Sequence, residues 1–310
     1  MMKLYTKEMQ NKASNKMLDI ARDIDLCLYN VLTDYMPNEI MIDALALYLT
    51  DDGGFGNGLY IDNYNPHASA YEIFEAFRYL DMAGVNSNIE HDMYDQLINK
   101  ACNFLFNKSE IVDNKWNPNV ESNENYAHSI YFEYNEENRN YFGYGPTAGL
   151  LGYILKYVKP TKAYYKKALK MVDAMLKDFF NLEALTKPEF IGFNIFLNSI
   201  KEMNLYTEYQ EKLEERLTAL AKKQVSVDFS NPKDIHPLDC ALYLNDEELK
   251  SKIDLELDYI IDNIAQHGLW EAPEGWGYNK YPEEDTAMIK WIGAISAKYY
   301  FYLKKFGRIE

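Results

Sequence analysis

A carboxylate and an imidazole five residues apart in one polar loop, Asp62 and His67, form the pair in this chain best suited to moving a proton. Histidine titrates near neutrality, and a carboxylate neighbour would raise its pKa. Asp52 lies just upstream, against the glycine-rich aromatic turn Gly53-Gly54-Phe55-Gly56-Asn57-Gly58. Consecutive helix-breaking and left-handed-tolerant positions cannot sit inside a helix or strand, so a built loop is expected there. Loops held by a rigid frame are where sites concentrate. Asp62, His67 and Asp52 are therefore the catalytic candidates. A structural turn with Phe55 tucked into the core would account for the same residues.

A second carboxylate-rich stretch, Glu271, Glu274, Glu283, Glu284 and Asp285, surrounds Trp270, Trp276 and Tyr281. Two carboxylates facing across a groove, roughly 5–10 Å apart, are what glycoside cleavage requires. The sequence leaves open whether the first and last loops meet. His236-Pro237-Leu238-Asp239-Cys240 gathers three metal-ligand types, but adjacent Asp239 and Cys240 would diverge on any regular backbone. Pro237 opening a helix with Cys240 buried is preferred to a zinc site. His91, His128 and His267 have no evident partner. No Gly-x-Ser-x-Gly elbow, P-loop or dinucleotide fingerprint is present. No cofactor is assigned, with magnesium and zinc left open.

The elements that must position these groups read as helix after helix. Ser69 with Glu72 forms a capping box behind Pro66, and Ile73, Phe74, Phe77 and Leu80 make an apolar stripe that Gly84 ends. Asp62 and His67 thus precede a helix N-terminus, where an anion is favoured. Met17 to Val31 reads as one amphipathic helix, followed by helices at 38–49, 69–83 and 92–107. The Tyr/Asn/Glu-rich stretch 109–145 reads as a long irregular loop. Further helices are expected at 146–158, 161–181, 188–203 and 206–223. Another runs from an Asn245 cap to about Ala265, and the last covers 286–306 before Gly307.

The pattern DGGFG-x-G-L-x-x-D, here Asp52 to Leu59 and then Asp62, with Pro66 and a capped helix behind it, resembles the repeat of the terpenoid cyclase and protein prenyltransferase superfamily. Within it the chain is most similar to an uncharacterised bacterial subgroup. Gly145-Pro146-Thr147-Ala148, His236-Pro237-Leu238, Trp291-x-Gly293 and Phe306-Gly307-Arg308-Ile309 extend the resemblance over roughly residues 40–309. It implies an all-α fold, an α/α toroid spanning 1–310 as one domain around a central cavity. On that reading Phe55, Tyr71 and Tyr144 line the substrate space from the first half of the chain. Asp239, Trp270, Trp276 and Trp291 line it from the second. The family's D-x-D-D acid is missing: Asp23-Ile24-Asp25-Leu26 lacks the last carboxylate and falls on a helix expected outside. There is no DDxxD box either, since Asp51-Asp52 run into Gly53. The expectation is a cytoplasmic enzyme using acid–base chemistry on a small hydrophobic or isoprenoid-like substrate. A carbohydrate-active enzyme and a non-catalytic binding protein are the alternatives.

Composition narrows the partners. Net charge is −16, from 32 basic and 48 acidic residues, which repels nucleic acid and anionic lipid. Hydrophobic residues at 47% suffice for a large core, and 27 tyrosines offer apolar faces with polar tips. Cys27, Cys102 and Cys240 are too few and too scattered for a disulfide framework, which fits a reducing cytosol. The start of the chain lacks a hydrophobic leader, and no stretch suits a membrane span. A small-molecule ligand is expected, with a homo-oligomer left open.

Overall fold

Helical periodicity becomes thirteen α-helices among the described residues, which are 2–273, 275–277 and 280–310 of the computed structural model. In chain order they are α1 (Lys7–Ile20), α2 (Asp23–Leu32), α3 (Ile40–Ala46), α4 (Ala70–Met82) and α5 (Tyr94–Asn107). Then follow α6 (Glu136–Phe142), α7 (Gly145–Tyr157), α8 (Ala163–Phe179), α9 (Lys187–Glu202) and α10 (Thr207–Gln224). The last three are α11 (Pro237–Cys240), α12 (Glu247–Asp262) and α13 (Glu283–Lys305). A two-stranded antiparallel hairpin, β1 (Ile111–Val112) and β2 (Lys115–Trp116), is the sheet structure of the described residues.

Packing contacts connect α2 to α3, then α4, α7, α9, α11, α12 and α13, and α13 returns to α2. Outside this circuit α1 packs on α13, α5 on α3 and α8, α8 on α7, and α10 on α9. The two ends of the chain lie side by side. Tyr5 donates its N–H to the Arg308 carbonyl at 2.7 Å, and Glu310 donates to the Tyr5 carbonyl at 3.1 Å. The buried Arg308 guanidinium reaches the Lys3 carbonyl (2.8 Å), Asp258 (2.7 Å) and Asp254 (2.8 Å).

Several elements differ from the sequence expectation. The first amphipathic run is two helices, because Arg22 adopts an extended backbone (φ −65°, ψ 153°) between them. That break lets its guanidinium clasp Asp25 at 2.7 Å and reach the Gly58 and Leu59 carbonyls at 3.1 and 2.8 Å. Asp25, expected on an outer face, is fully buried. α3 stops at Ala46 because Leu49 already pairs with Phe55 across the glycine turn. The segment 109–145 holds the hairpin, two 3-10 turns and α6. Asp246, not Asn245, caps α12 by accepting the Leu249 N–H at 3.1 Å; the Asn245 amide oxygen is taken by Lys250. No helix of the described residues is long and apolar enough to cross a membrane. All three cysteines are buried and unpaired.

The tightest joint is between α7 and α9. A Cβ on Gly192 would lie 1.9 Å from the Gly145 carbonyl oxygen. Gly192→Ala should therefore cost about 3 kcal/mol by denaturant titration, even though alanine gains up to about 1 kcal/mol of helix propensity. A neutral or stabilising outcome would show that the two helices can part without loss.

Candidate functional site

A cavity of about 670 Å³ is walled by α4, α9, α12 and α13, with loop residues 59–62, Ser129, Tyr131, Phe132, Trp270, Glu271, Pro273 and Gly275. Its geometry follows from two helices. On α4 the residues facing it are Tyr71, Phe74, Glu75, Arg78, Tyr79 and Met82; on α13 they are Trp291, Ala294, Ile295, Lys298, Tyr299 and Tyr302. Both sets have the same helical spacing, with an aromatic residue first and a cation seven positions on. At 1.5 Å rise per residue, each helix sets its cation roughly 10 Å below its aromatic. Tyr60 touches both upper aromatics, with ring centroids 4.8 Å from Tyr71 and 5.6 Å from Trp291. The cavity thus has an aromatic level and a charged level.

Asp62 sits at the aromatic level. Its Oδ1 accepts the indole N–H of Trp276 at 2.8 Å and that of Trp291 at 2.6 Å. Burial pushes its carboxyl up to about 6; the two indoles oppose the rise, and nearby Glu284 adds to it. The second oxygen has no hydrogen-bond partner among the described residues. The loop is fixed from behind: Ser129 donates to the Asp62 carbonyl at 2.9 Å, Tyr64 to the Ala127 carbonyl at 2.9 Å, and Ile130 to the Trp276 carbonyl at 3.2 Å. The first and last loops therefore do meet. Glu284 joins them by accepting the Trp276 N–H at 2.6 Å.

The capping box is only half made. Ser69 accepts the Glu72 N–H at 3.1 Å, but the Glu72 carboxylate turns away to take the Tyr60 N–H at 2.8 Å. This buried carboxylate, which burial pushes well above its ordinary range, holds Tyr60 over the cavity instead of closing the cap.

The charged level is built of ion pairs. Glu75 and Arg78 meet at 2.7 Å, and Lys187 meets Asp239 at 3.0 Å while also bonding the Pro232 and Asp234 carbonyls. Against the upward push of burial, Lys187 and Lys298 hold Asp239 below the usual carboxylate range. Glu256 accepts the Leu238 N–H at 2.8 Å, with His236 Nδ1 4.0 Å away. Burial and the Asp239 charge push Glu256 up to about 8, while burial lowers His236.

Of the residues chosen from sequence, Asp62, Tyr71, Asp239, Trp270 and Trp291 line this cavity. Trp276 stands behind Asp62 as a buried donor. His67 is not among the cavity's lining: it is exposed, and its ring lies edge-on to Tyr126 at 6.2 Å. Asp52 is spent on the Thr50 hydroxyl outside the cavity wall. Phe55 is fully buried core, and Tyr144 is buried with its hydroxyl on Asp178. In the C-terminal cluster Glu271 lines the cavity and pairs with His267 at 3.1 Å, Asp285 is exposed, and Glu274 lies outside the described residues. His91 also has a partner, Asp43 at 3.2 Å. Pro237 does open a short helix with Cys240 buried. Among the described residues no group of three or more His, Cys, Asp or Glu is placed to hold a metal ion. Arg22, Glu75, Arg78, Lys187, Glu256 and Lys298 escaped the sequence reading, although the paired spacing on α4 and α13 carried the signal.

A carboxyl raised from 3.8 to about 6 makes the wild type lose stability as pH rises through that window, since the unfolded chain releases the proton first. Asp62→Asn removes this term. The stability difference between variant and wild type should shift in the variant's favour by about 2 to 3 kcal/mol from pH 4 to 6.5 and then level off. A pH-independent difference in paired denaturant titrations would mean that Asp62 titrates normally.

Comparisons of the chain with protein-family models, curated proteins and solved structures find no match, so no family is assigned by likeness.

Proposed function

We propose that the chain is an α/α toroid and a carbohydrate-active enzyme whose central cavity works by acid–base chemistry, with Asp62 giving or taking the proton. The closed packing circuit and the joined chain ends support the toroid. Membership of the terpenoid cyclase and prenyltransferase superfamily is part of the same proposal, resting on the glycine turn and its helix. A reducing, cytoplasmic setting is supported by the three buried, unpaired thiols.

One observation carries the reaction class: Asp62 is oriented through one oxygen by two indoles, with the other oxygen unpartnered among the described residues, beside a cavity that is both aromatic and charged. A pKa near the working pH is what a proton-transfer group needs. Glu75, one turn along α4 from Tyr71, is the proposed second carboxylate, able to support positive charge developing on a sugar ring. The lining decides the substrate. Packing a hydrocarbon against Glu75, Arg78, Asp239 and Lys298 would strip their water without replacing it, at about 1–3 kcal/mol per group. Sugar hydroxyls replace that water, and Tyr60, Tyr71 and Trp291 offer faces for the rings. The second reading, an isoprenoid-like substrate, draws on the same cluster, because contiguous aromatic faces also stabilise a carbocation.

The test is turnover of neutral and acidic oligosaccharides beside prenyl diphosphates, followed by mass spectrometry of the products. Oligosaccharide cleavage is expected, with kcat/KM lowered at least about a hundredfold by Asp62→Asn and a pH limb near 6 in the wild type. Turnover of prenyl diphosphates alone would establish the second reading. Binding without turnover of either class would leave a ligand-binding protein.

A further inference from the structure

The charged level holds Arg78, Lys187 and Lys298 with the engaged carboxylates Glu75 and Asp239, and Lys233 and Glu256 line the same cavity. Lys187 is used up by Asp239 and two carbonyls. Arg78 gives one nitrogen to Glu75, and its remaining N–H groups have no partner among the described residues. Lys298 makes no hydrogen bond or ion pair among the described residues; its ammonium lies 5.6 Å from the centre of the Tyr302 ring. Burial and the neighbouring Arg78 charge lower Lys298, against the opposing pull of Asp239, Glu75 and Glu256, so a bound anion would favour its charged form.

We infer that Lys298 and the free edge of Arg78 form a subsite for a single carboxylate, so that the substrate is an acidic oligosaccharide whose uronic acid lies at the charged level, below the aromatic level at which Asp62 acts. Lys298 and the free edge of Arg78 offer donors for one carboxylate, whereas a diphosphate would bring an excess of negative charge beside Glu75, Asp239 and Glu256. The difference in level matters too. Abstracting a proton beside the carboxylate would require carboxylate and base at the same level, so the geometry points to hydrolysis at a neighbouring linkage. In that step water adds across the glycosidic bond, Asp62 protonating the leaving oxygen and the water's proton going to a carboxylate. This inference rests on the carbohydrate reading above.

Calorimetric titration with uronic acid oligosaccharides, their methyl esters, neutral oligosaccharides and inorganic pyrophosphate tests it on the intact protein. The free acids should bind about ten- to a hundredfold more tightly than their esters, as expected for hydrogen bonds to a charged group. Lys298→Met should abolish that preference, and Lys298→Arg should keep it, which separates loss of charge from loss of fold. Equal binding of acid, ester and neutral sugar by the wild type would overturn the subsite and leave the carbohydrate reading standing. Binding of no sugar would overturn both. Binding of pyrophosphate that depends on Lys298, without sugar binding, would replace the carboxylate by a phosphate and overturn the assignment.

Discussion

Two indole N–H groups on one carboxylate oxygen hold the site together. A carboxylate out of water is unfavourable, and tryptophan can only donate, so neither Trp276 nor Trp291 can turn away from Asp62 without leaving a polar atom unsatisfied. Each bond spans more than two hundred residues, tying the early loop to the last helix and the segment before it. The backbone bonds of Ser129 and Ile130 then seat the 126–132 segment against both. The upper rim of the cavity is thus one hydrogen-bonded unit made of three distant stretches. The second oxygen of Asp62, without a partner among the described residues, is its chemically available point.

The lower end is organised differently. Its carboxylates and cations neutralise one another in pairs, and burial with the Asp239 charge raises Glu256 toward its neutral form. A chain with sixteen excess negative charges has nevertheless gathered cations and carboxylates in comparable number around its cavity. Surface composition says nothing of this, because paired groups drop out of the local sum.

Much of the fold was legible because helices announce themselves through apolar spacing: Ile73, Phe77 and Leu80 are buried as their spacing requires. Caps and breaks were less legible. The extended Arg22 depends on carbonyls at Gly58 and Leu59, and the open capping box depends on the Tyr60 N–H, neither visible in a local window. At the site, Asp62, Tyr71, Asp239, Trp270 and Trp291 were readable as residue types suited to a cavity. His67 shows the limit of that argument: sequence proximity to Asp62 carried no direction, and it lies at the surface. The charged stripe was missed because only apolar residues were counted along α4 and α13, and each helix has a second face at the same spacing.

The clasp of Tyr5 on Arg308 bears on how the molecule is made. Contacts between residues about three hundred positions apart bring no local reward until the intervening chain has been ordered, so their closure entropy is met late. Helical pairs such as α7 with α9 can form from near neighbours, whereas α13 must wait for α2 and α12 to be in place before it has a surface to dock on. A nascent chain would thus carry its cavity as an open trough until its final helix arrives. Asp62 would acquire its tryptophan partners only in that last step.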